Sequence, residues 1–140
     1  MPPDLKENRR LVRRYFDLLS GSDLSRVEEI VSPDVVFFGP PRPRRHPRTG
    51  GFIEFVVALR HDSPDLRFTE GEIVVEGNRV ASVFTMTRTH SSEEGQAKEI
   101  VTEGMDLFHI ADGRIQQINA YFDRLSMLVE MGLVSPPAQM

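Results

Sequence analysis

The stretch "KEIVTEGMDLFHIADGRIQQINAYFD", residues 98–123, decides the fold because it predicts two long antiparallel strands. Apolar residues alternate with period two on both sides of Asp112-Gly113, a dipeptide that favours a hairpin turn. The preceding stretch, "DLRFTEGEIVVEGNRVASVFTMTRTH" at residues 65–90, repeats this pattern around Gly77-Asn78. We therefore predict four strands of one antiparallel sheet, at residues 66–76, 79–91, 98–111 and 114–123.

Helices are predicted in the first half of the chain, where apolar residues recur at helical spacing. The predicted helices cover residues 4–20, 23–31 and 50–62. Asp4 and Asp23 can cap the first two, since a carboxylate accepts hydrogen bonds from free backbone N–H groups. "SPD" is predicted to end the second helix, because the residue before a proline avoids helical backbone. A buried strand, "VVFF" at 35–38, follows it, and a short amphipathic helix follows residue 123.

Helices that precede long antiparallel strands are typical of an α+β fold. Three helices packed on a strongly curved antiparallel sheet would form a cone-shaped α+β barrel with a ligand cavity inside. The length of 140 residues suits a single domain over 1–140. We predict a mobile Pro/Arg-rich loop at 39–50 and a loose tail at 133–140.

Composition argues against several classes of function. The chain has no cysteine, so disulfides, thiolate zinc sites and cysteine nucleophiles are excluded, and a cytoplasmic location is expected. A net charge of −4 argues against nucleic acid as a partner, and no apolar run is long enough to cross a membrane. The four histidines lack metal-ligand spacing, and no nucleotide fingerprint occurs. We therefore predict neither a metal nor a cofactor.

The two faces of the last predicted strand differ in polarity. One face is polar: Gln117, Asn119, Tyr121 and Asp123. The other is apolar: Ile118, Ala120 and Phe122. The polar face looks either into water or into a pocket where the carboxylate does chemistry. We predict a pocket, with Asp123 desolvated, its pKa raised, and the apolar row packed outward. The alternative is that Asp123 only caps the C-terminal helix.

The position of His109 depends on the turn at Asp112-Gly113. A simple two-residue turn places His109 opposite Gln116, facing away from Asp123. A turn with Gly113 as a bulge moves the register by one and brings His109 to the side of Gln117 and Asp123. The sequence "ADG" fits both turns, and His109 is predicted to assist catalysis only in the second.

Other residues are candidates for binding a substrate. Gln117, Asn119 and Tyr121 share the face of Asp123 and could orient ligand oxygens. Tyr15 could do the same from the first helix, or it could be a core tyrosine with one satisfied hydroxyl. Further candidates lie on one face of the second strand: Phe84, Met86 and His90.

The Pro/Arg-rich loop carries a local positive cluster: Arg42, Arg44, Arg45, His46 and Arg48. Such a cluster could attract an anionic substrate, a phosphopantetheine arm or a carrier protein. The alternative is a solvated surface loop.

Four segments resemble the SnoaL-like polyketide cyclases of the nuclear transport factor 2-like superfamily: "YFDLLSGSDLSRVEEIVSPDVVF", "SPDLRFTEGEIVVEGNRVASVFTMTRTH", "GMDLFHIADGRI" and "YFDRLSMLVEMGL". The resemblance implies a cofactor-free ring closure with Asp123 as general acid/base and His109 assisting. It also implies a role in antibiotic biosynthesis. The cyclases usually have a tryptophan where Asn119 stands, so this chain departs from them there.

Two related enzyme families resemble the chain less well. Ketosteroid isomerases resemble it at Tyr15, but their base follows the first strand, where this chain reads "FFGPP" without a carboxylate. Limonene-epoxide hydrolases end in a similar "YFD". They also require an arginine and an aspartate where this chain has Glu99 and Val101.

The predicted function is a cofactor-independent cyclase or isomerase of a small, apolar, oxygenated, polyketide-like substrate. One alternative is an epoxide hydrolase or an epoxide-opening ether-ring cyclase. Another is a non-catalytic ligand-binding or scaffolding module. A homodimer is expected through the outer face of the sheet, where Val83 and Phe108 or their neighbours would be costly to leave in water.

Overall fold

A computed structural model describes residues 4–21, 24–39 and 49–138 of the chain. Its elements follow in this order: α1 (Leu5–Leu19), a 3₁₀-helix (Leu24–Glu29), β1 (Val31–Phe38), α2 (Thr49–Asp62), β2 (Arg67–Glu76), β3 (Arg79–Ser91), β4 (Ala97–Ala111), β5 (Arg114–Phe122) and α3 (Arg124–Glu130). The predicted α+β fold is confirmed, and the helices and the strands β2 to β5 begin and end close to their predicted bounds. The strand β1 begins at Val31, four residues before the predicted strand at 35–38.

The five strands form one sheet in the order β1-β5-β4-β3-β2. The strands β2 to β5 are antiparallel neighbours, as the two hairpin patterns predict. The strand β1 adds to the edge of the sheet, parallel to β5. Both long hairpins therefore lie on one continuous surface, and a side chain on either face can be placed by strand register.

Helix α1 begins at its predicted cap. The carboxylate of Asp4 accepts hydrogen bonds from the backbone N–H groups of Lys6 and Glu7, each at 3.1 Å. The apolar side of α1 is buried against the sheet, and its rings pack on strand residues; the centroids of Tyr15 and Phe108 are 5.0 Å apart. No helix in the described ranges is long and apolar enough to span a membrane.

The two faces of the sheet have opposite environments. The inner face packs on α1 and α2 and carries the buried side chains of β3 and β4: Val80, Ser82, Phe84, Met86, Ile100, Thr102, Asp106, Phe108 and Ile110. The outer face exposes large apolar side chains, including Val83, Met105 and Tyr121. The prediction that Val83 lies outside is confirmed. The same prediction for Phe108 is wrong, because this ring is fully buried against Tyr15.

The segment Ser32-Pro33-Asp34 lies inside β1, where the pairing with β5 breaks between Val31 and Val36. The prediction that it ends the second helix is therefore wrong. Proline is tolerated at such an irregular strand position, because no ladder hydrogen bond is required there. The N–H of Asp34 donates instead to Oγ of Ser32, at 3.1 Å.

Two predicted features involve residues outside the described ranges. The cap at Asp23 is one. The other is the arginine cluster of the Pro/Arg-rich loop, because residues 40–48 fall outside those ranges. In the predicted tail, residues 135–138 are exposed and have no regular secondary structure.

Candidate active site

Strand β4 places one carboxyl group on the inner face of the sheet. Asp106 pairs with Ser82 of β3 and with Ala120 of β5, so it lies in the middle of the sheet. The residue is 4% exposed, and no described residue donates a hydrogen bond to its carboxyl group. Burial therefore raises the pKa of Asp106 to about 8, because the charged form loses its hydration without a compensating donor.

Asp106 borders a cavity of about 190 Å³, termed here the inner cavity. Its apolar lining comes from every layer of the fold: Leu19, Phe37, Leu59, Phe68, Phe84, Met86, Ala120, Phe122 and Met127. Its polar lining comprises Tyr15, Asp106, Arg88 and Arg124. The short side chain of Ala120, directly beside Asp106 on β5, leaves room next to the carboxyl group.

Tyr15 reaches the inner cavity from α1 and is 2% exposed. Its ring packs between Phe108 and Phe52, at centroid distances of 5.0 and 5.9 Å. Burial and the negative charge of Asp106 both raise the pKa of Tyr15 well above its usual value. The phenol therefore keeps its proton and is a hydrogen-bond donor beside the carboxyl group.

Gly104 allows aromatic side chains to cross β4 closely. A Cβ atom at this position would lie 2.5 Å from Cζ of Phe84 and 2.6 Å from the carbonyl oxygen of Tyr121. It would also lie 2.7 Å from Cβ of Phe122. The absence of a side chain therefore positions the two phenylalanines that line the inner cavity near Asp106.

Arg88 lies where the inner cavity meets a second space of about 690 Å³, termed the outer groove. Its guanidinium donates to Oγ of Ser63 at 3.3 Å and to the sulfur atoms of Met127 and Met131 at 3.1 and 3.4 Å. Burial lowers the pKa of Arg88, and the charge of Asp62 opposes this effect. Arg88, Arg124 and Met127 line both spaces.

The prediction that Asp123 faces an enclosed pocket is wrong. Asp123 is exposed and caps α3, accepting hydrogen bonds from the N–H of Ser126 at 3.1 Å and from its hydroxyl at 2.6 Å. These bonds lower the pKa of Asp123, whereas the pocket hypothesis required it to rise. The alternative prediction, a helix cap, is the one confirmed.

The polar row of β5 lies on the outer face, contrary to prediction. Nε2 of Gln117 donates to Oδ1 of Asn119 at 2.8 Å, and Tyr121 is 57% exposed. The apolar row turns inward instead: Ile118 is buried, and Ala120 and Phe122 line the inner cavity. The reason is the hydrophobic effect, because the helices cover one face of the sheet and the apolar row of β5 is buried beneath them.

His109 lies on the outer face beside Gln117. The turn is a two-residue turn with positive φ at Asp112 and Gly113, 53° and 72°. The bulge comes later: Ile110 pairs with Ile115, but His109 pairs with Gln117, leaving Gln116 as the extra residue. His109 therefore shares the side of Gln117, as one predicted register required, but that side points away from the inner cavity. Partial burial and the charge of Arg79 lower its pKa.

Three predicted binding residues do line the inner cavity: Tyr15, Phe84 and Met86. His90 lines the outer groove instead. Asp106 is not among the residues predicted from the sequence, although the sequence carries a signal for it. In β4 the row Ile100, Thr102, Gly104, Asp106 and Phe108 carries a single charged residue among apolar or small ones. A carboxylate on the buried row of a strand marks a functional candidate.

The described residues include no cluster of three or more histidine, cysteine, aspartate or glutamate side chains suited to a metal ion. The polar groups of the inner cavity are instead two proton donors and two guanidinium groups. This arrangement suits proton transfer to or from an oxygenated organic molecule.

Comparisons with known proteins agree with this architecture. Residues 12–118 match the protein family described as the SnoaL-like domain. No match was found among curated proteins.

Solved structures with the same fold include the following three. IdmH of Streptomyces antibioticus, a candidate polyketide cyclase, has a TM-score of 0.80 and 22% identity, covering 89% of this chain and 98% of its own. AclR of Streptomyces galilaeus, a candidate hydroxylase, has a TM-score of 0.80 and 19% identity, covering 97% and 91%. PhzB2 of Pseudomonas aeruginosa, a phenazine biosynthesis-related protein, has a TM-score of 0.79 and 16% identity, covering 96% and 91%. At these identities the likeness shows the fold alone.

Proposed function

The chain belongs to the SnoaL-like domain family, and from this premise we propose that it is a cofactor-free cyclase or isomerase that transfers a proton through Asp106. One observation carries the proposal: among the described lining residues a single carboxyl group, 4% exposed, enters a cavity that is otherwise mostly apolar. A pKa of about 8 lies near neutral pH, where a general acid/base is most effective.

The proposed reaction begins with the ionised form of Asp106, about a tenth of the molecules at pH 7. The carboxylate removes an acidic proton from a carbon between two carbonyl groups. The electron pair left on that carbon forms an enolate, which either attacks a further carbonyl group of the substrate to close a ring or is reprotonated at another carbon. Asp106 returns the proton in the last step, so the group regains its starting state.

Tyr15 supplies the second proposed role. Its phenol stays protonated beside Asp106 and can donate a hydrogen bond to the enolate oxygen as negative charge develops. A donor held in an apolar cavity stabilises this charge more than the same donor in water. Asp106 thus transfers the proton, and Tyr15 stabilises the developing negative charge.

The proposed substrate is a small, apolar, oxygenated, polyketide-like compound. The family and the description of IdmH as a candidate polyketide cyclase support this class. The inner cavity, at about 190 Å³, is smaller than the roughly 300–1,000 Å³ typical of ligand pockets. It therefore suits the reacting end of the molecule, with the remainder in the outer groove.

Acid-assisted opening of an epoxide is the second candidate. The observation that favours it is the raised pKa of Asp106, which leaves most molecules protonated at pH 7 and able to donate to an epoxide oxygen. The inner cavity has no second carboxylate in its described lining to activate a water molecule. This arrangement favours intramolecular opening over hydrolysis.

The proposal is tested by proton exchange on a 1,3-dicarbonyl compound, followed by NMR in deuterated water after subtraction of the buffer rate. Asp106→Asn keeps the shape of the side chain but removes the acid/base, so we expect the rate to fall by about 10²–10⁴-fold. Tyr15→Phe should lower it by about 10²-fold, the usual effect of losing one oxyanion donor.

Asp123→Asn is the matched control, because it makes the same chemical change at the exposed helix cap. It should retain the wild-type rate. A folded Asp106→Asn protein with wild-type exchange would overturn the proposal and favour the non-catalytic binding module.

A further inference from the structure

The described lining of the inner cavity has an unbalanced charge. Two arginines, Arg88 and Arg124, line it, and Asp106 is its one carboxyl group. Asp106 is mostly protonated at pH 7, so the lining carries about two positive charges there. The nearby carboxylates Asp62 and Asp65 line the outer groove but not the inner cavity. A cavity of this kind favours an anionic ligand over a neutral one.

Arg88 has weak hydrogen-bond partners for a half-buried guanidinium. Its three hydrogen bonds go to one hydroxyl and two thioether sulfur atoms, which are weak acceptors. Within the described ranges no carboxylate lies within 4.0 Å of the Arg88 nitrogens, and Nε is buried without any partner. A ligand whose oxygen atoms replace the weak sulfur acceptors of the guanidinium therefore gains affinity.

The immediate surroundings of Arg88 hold its side chain in place. Ser63 follows α2, Met127 belongs to α3, and Met131 follows α3, so three contacts from two segments fix the guanidinium at the boundary of the two spaces. Asp65 is engaged elsewhere, by the N–H and the hydroxyl of Thr89. The planar fork of an arginine suits the two oxygens of a carboxylate.

Arg88 and Asp106 are separated along the sheet. Asp106 pairs with Ser82, and Arg88 lies six residues further along β3, which corresponds to about 20 Å of extended strand. Phe84 and Met86 line the cavity between them. A ligand in contact with both groups therefore passes Phe84 and Met86 and has an apolar middle.

We propose that Arg88, with Arg124 in the lining of the same two spaces, binds a carboxylate at the end of the substrate remote from the reacting carbon. This inference rests on the proposed function for the identity of the ligand as a substrate, and it narrows the substrate class to oxygenated apolar acids. The carboxylate occupies the boundary between the inner cavity and the outer groove and accepts hydrogen bonds from the guanidinium of Arg88. The substrate is thereby oriented with its carbonyl end toward Asp106 and Tyr15.

The test uses three probes with one aromatic head that fits an apolar cavity: 4-phenylbutyrate, its neutral amide and 4-phenylbutylphosphonate. Binding to the full chain is measured by isothermal titration calorimetry at neutral pH. We expect wild-type protein to bind the carboxylate about 10- to 100-fold more tightly than the amide, the usual gain of a charge-assisted hydrogen bond. Arg88→Gln should abolish this preference and leave the affinity for the amide unchanged.

Arg114→Gln is the matched control, since it removes an exposed arginine at the start of β5, outside the residues that line either space. It should keep the wild-type preference. Thermal unfolding followed by circular dichroism checks that each variant folds. If Arg88→Gln does not fold, Arg88→Met replaces it, because a methionine can pack beside Met127 and Met131, and the same outcomes apply.

Equal affinity of wild-type protein for carboxylate and amide, or no binding of any probe at millimolar concentration, overturns the inference. An equal loss for both probes in Arg88→Gln does so too, because it shows a packing effect. Tighter binding of the phosphonate than of the carboxylate also overturns it, because the boundary would then bind a phosphate ester. Asp106→Asn should keep the preference for the carboxylate over the amide. The exchange rate of this variant therefore tests the proposed proton transfer, and the binding preference of Arg88→Gln tests the carboxylate site separately.

Discussion

Asp106 and Tyr15 interact at the wall of the inner cavity, where the carboxylate charge adds to burial in raising the pKa of the phenol. Ionisation of Asp106 makes ionisation of Tyr15 less favourable. Once Asp106 ionises, Tyr15 holds its proton more firmly, so the pair carries at most one negative charge near neutral pH. A substrate then meets one base and one donor, which is the combination that enolisation requires.

The rate of proton exchange should depend on pH through Asp106. If the ionised form is the base, kcat/KM should rise about tenfold per pH unit below the pKa of about 8 and level off above it. Tyr15 stays protonated over this range because its pKa is raised. A rate that instead falls as pH rises through 8 would identify the protonated carboxyl group as the active form and favour epoxide opening.

The stability of the fold should also depend on Asp106. Its pKa of about 8 in the folded chain lies above the unfolded value of about 4, so the folded state holds the extra proton between these pH values. The contribution is full below pH 4 and is lost as pH rises toward 8, a change of about 4–6 kcal/mol. The free energy of unfolding in urea should therefore fall over this pH range for the wild type but not for Asp106→Asn. Parallel curves for the two proteins would contradict the raised pKa.

The two sides of β5 show which features of the fold local sequence patterns predict and which they do not. The strands and turns were predictable, because alternation and the dipeptides Gly77-Asn78 and Asp112-Gly113 are local signals. The polar row of β5 does not show which face of the sheet is buried, because helices elsewhere in the chain determine which face is covered. The apolar residues Ile118 and Phe122 were the better guide to the inside.

The site itself was only partly predictable. The charged residue on the buried row of β4 could have identified Asp106 from the sequence. The bulge at Gln116 could not be read from "ADG", because it lies beyond the turn. The contacts of Arg88 with Ser63 and Met127 join distant segments, so they depend on the assembled fold rather than on any local pattern.

Substitution at Asp123 tests whether this residue only caps α3 or also takes part in proton transfer. Asp123→Ala removes the acceptor for the N–H of Ser126, so the midpoint of thermal unfolding should fall. The rate of proton exchange should stay at the wild-type level where the protein is folded. Asp123→Asn should leave both quantities unchanged, since asparagine is also a good cap. Loss of exchange activity in the folded Asn variant would return Asp123 to the mechanism.

Gly104→Ala should destabilise the protein. The added Cβ would meet the carbonyl oxygen of Tyr121 at 2.6 Å and Phe122 at 2.7 Å, so β4 or β5 must shift. We expect a loss of about 1–3 kcal/mol in the free energy of unfolding. Glu103→Ala, at the exposed neighbouring position, serves as control and should change it by less than about 0.5 kcal/mol. Equal effects of the two substitutions would show that the close approach is not needed.

The predicted homodimer should use the outer face of the sheet. Val83 pairs with Met105, and Met105 pairs with Tyr121, so three exposed apolar side chains form one row across β3, β4 and β5. The same row on a second copy can pack against it about a two-fold axis. Light scattering should give twice the chain mass of 15.9 kDa. Met105→Lys should shift the mass toward the monomer, whereas Val57→Lys, at an exposed site on α2, should not. A monomeric wild-type protein would reject this arrangement.

Ala120, the strand partner of Asp106, has the smallest side chain in the lining of the inner cavity. Its single methyl group determines how closely a molecule can approach the carboxyl group. Valine, leucine or phenylalanine at this position would fill the space beside Asp106 in graded steps, while the proton donors stay in place. Residue 120 is therefore a natural point at which related chains could diverge in the size of molecule they accept, and a single codon through which an engineer could select among them.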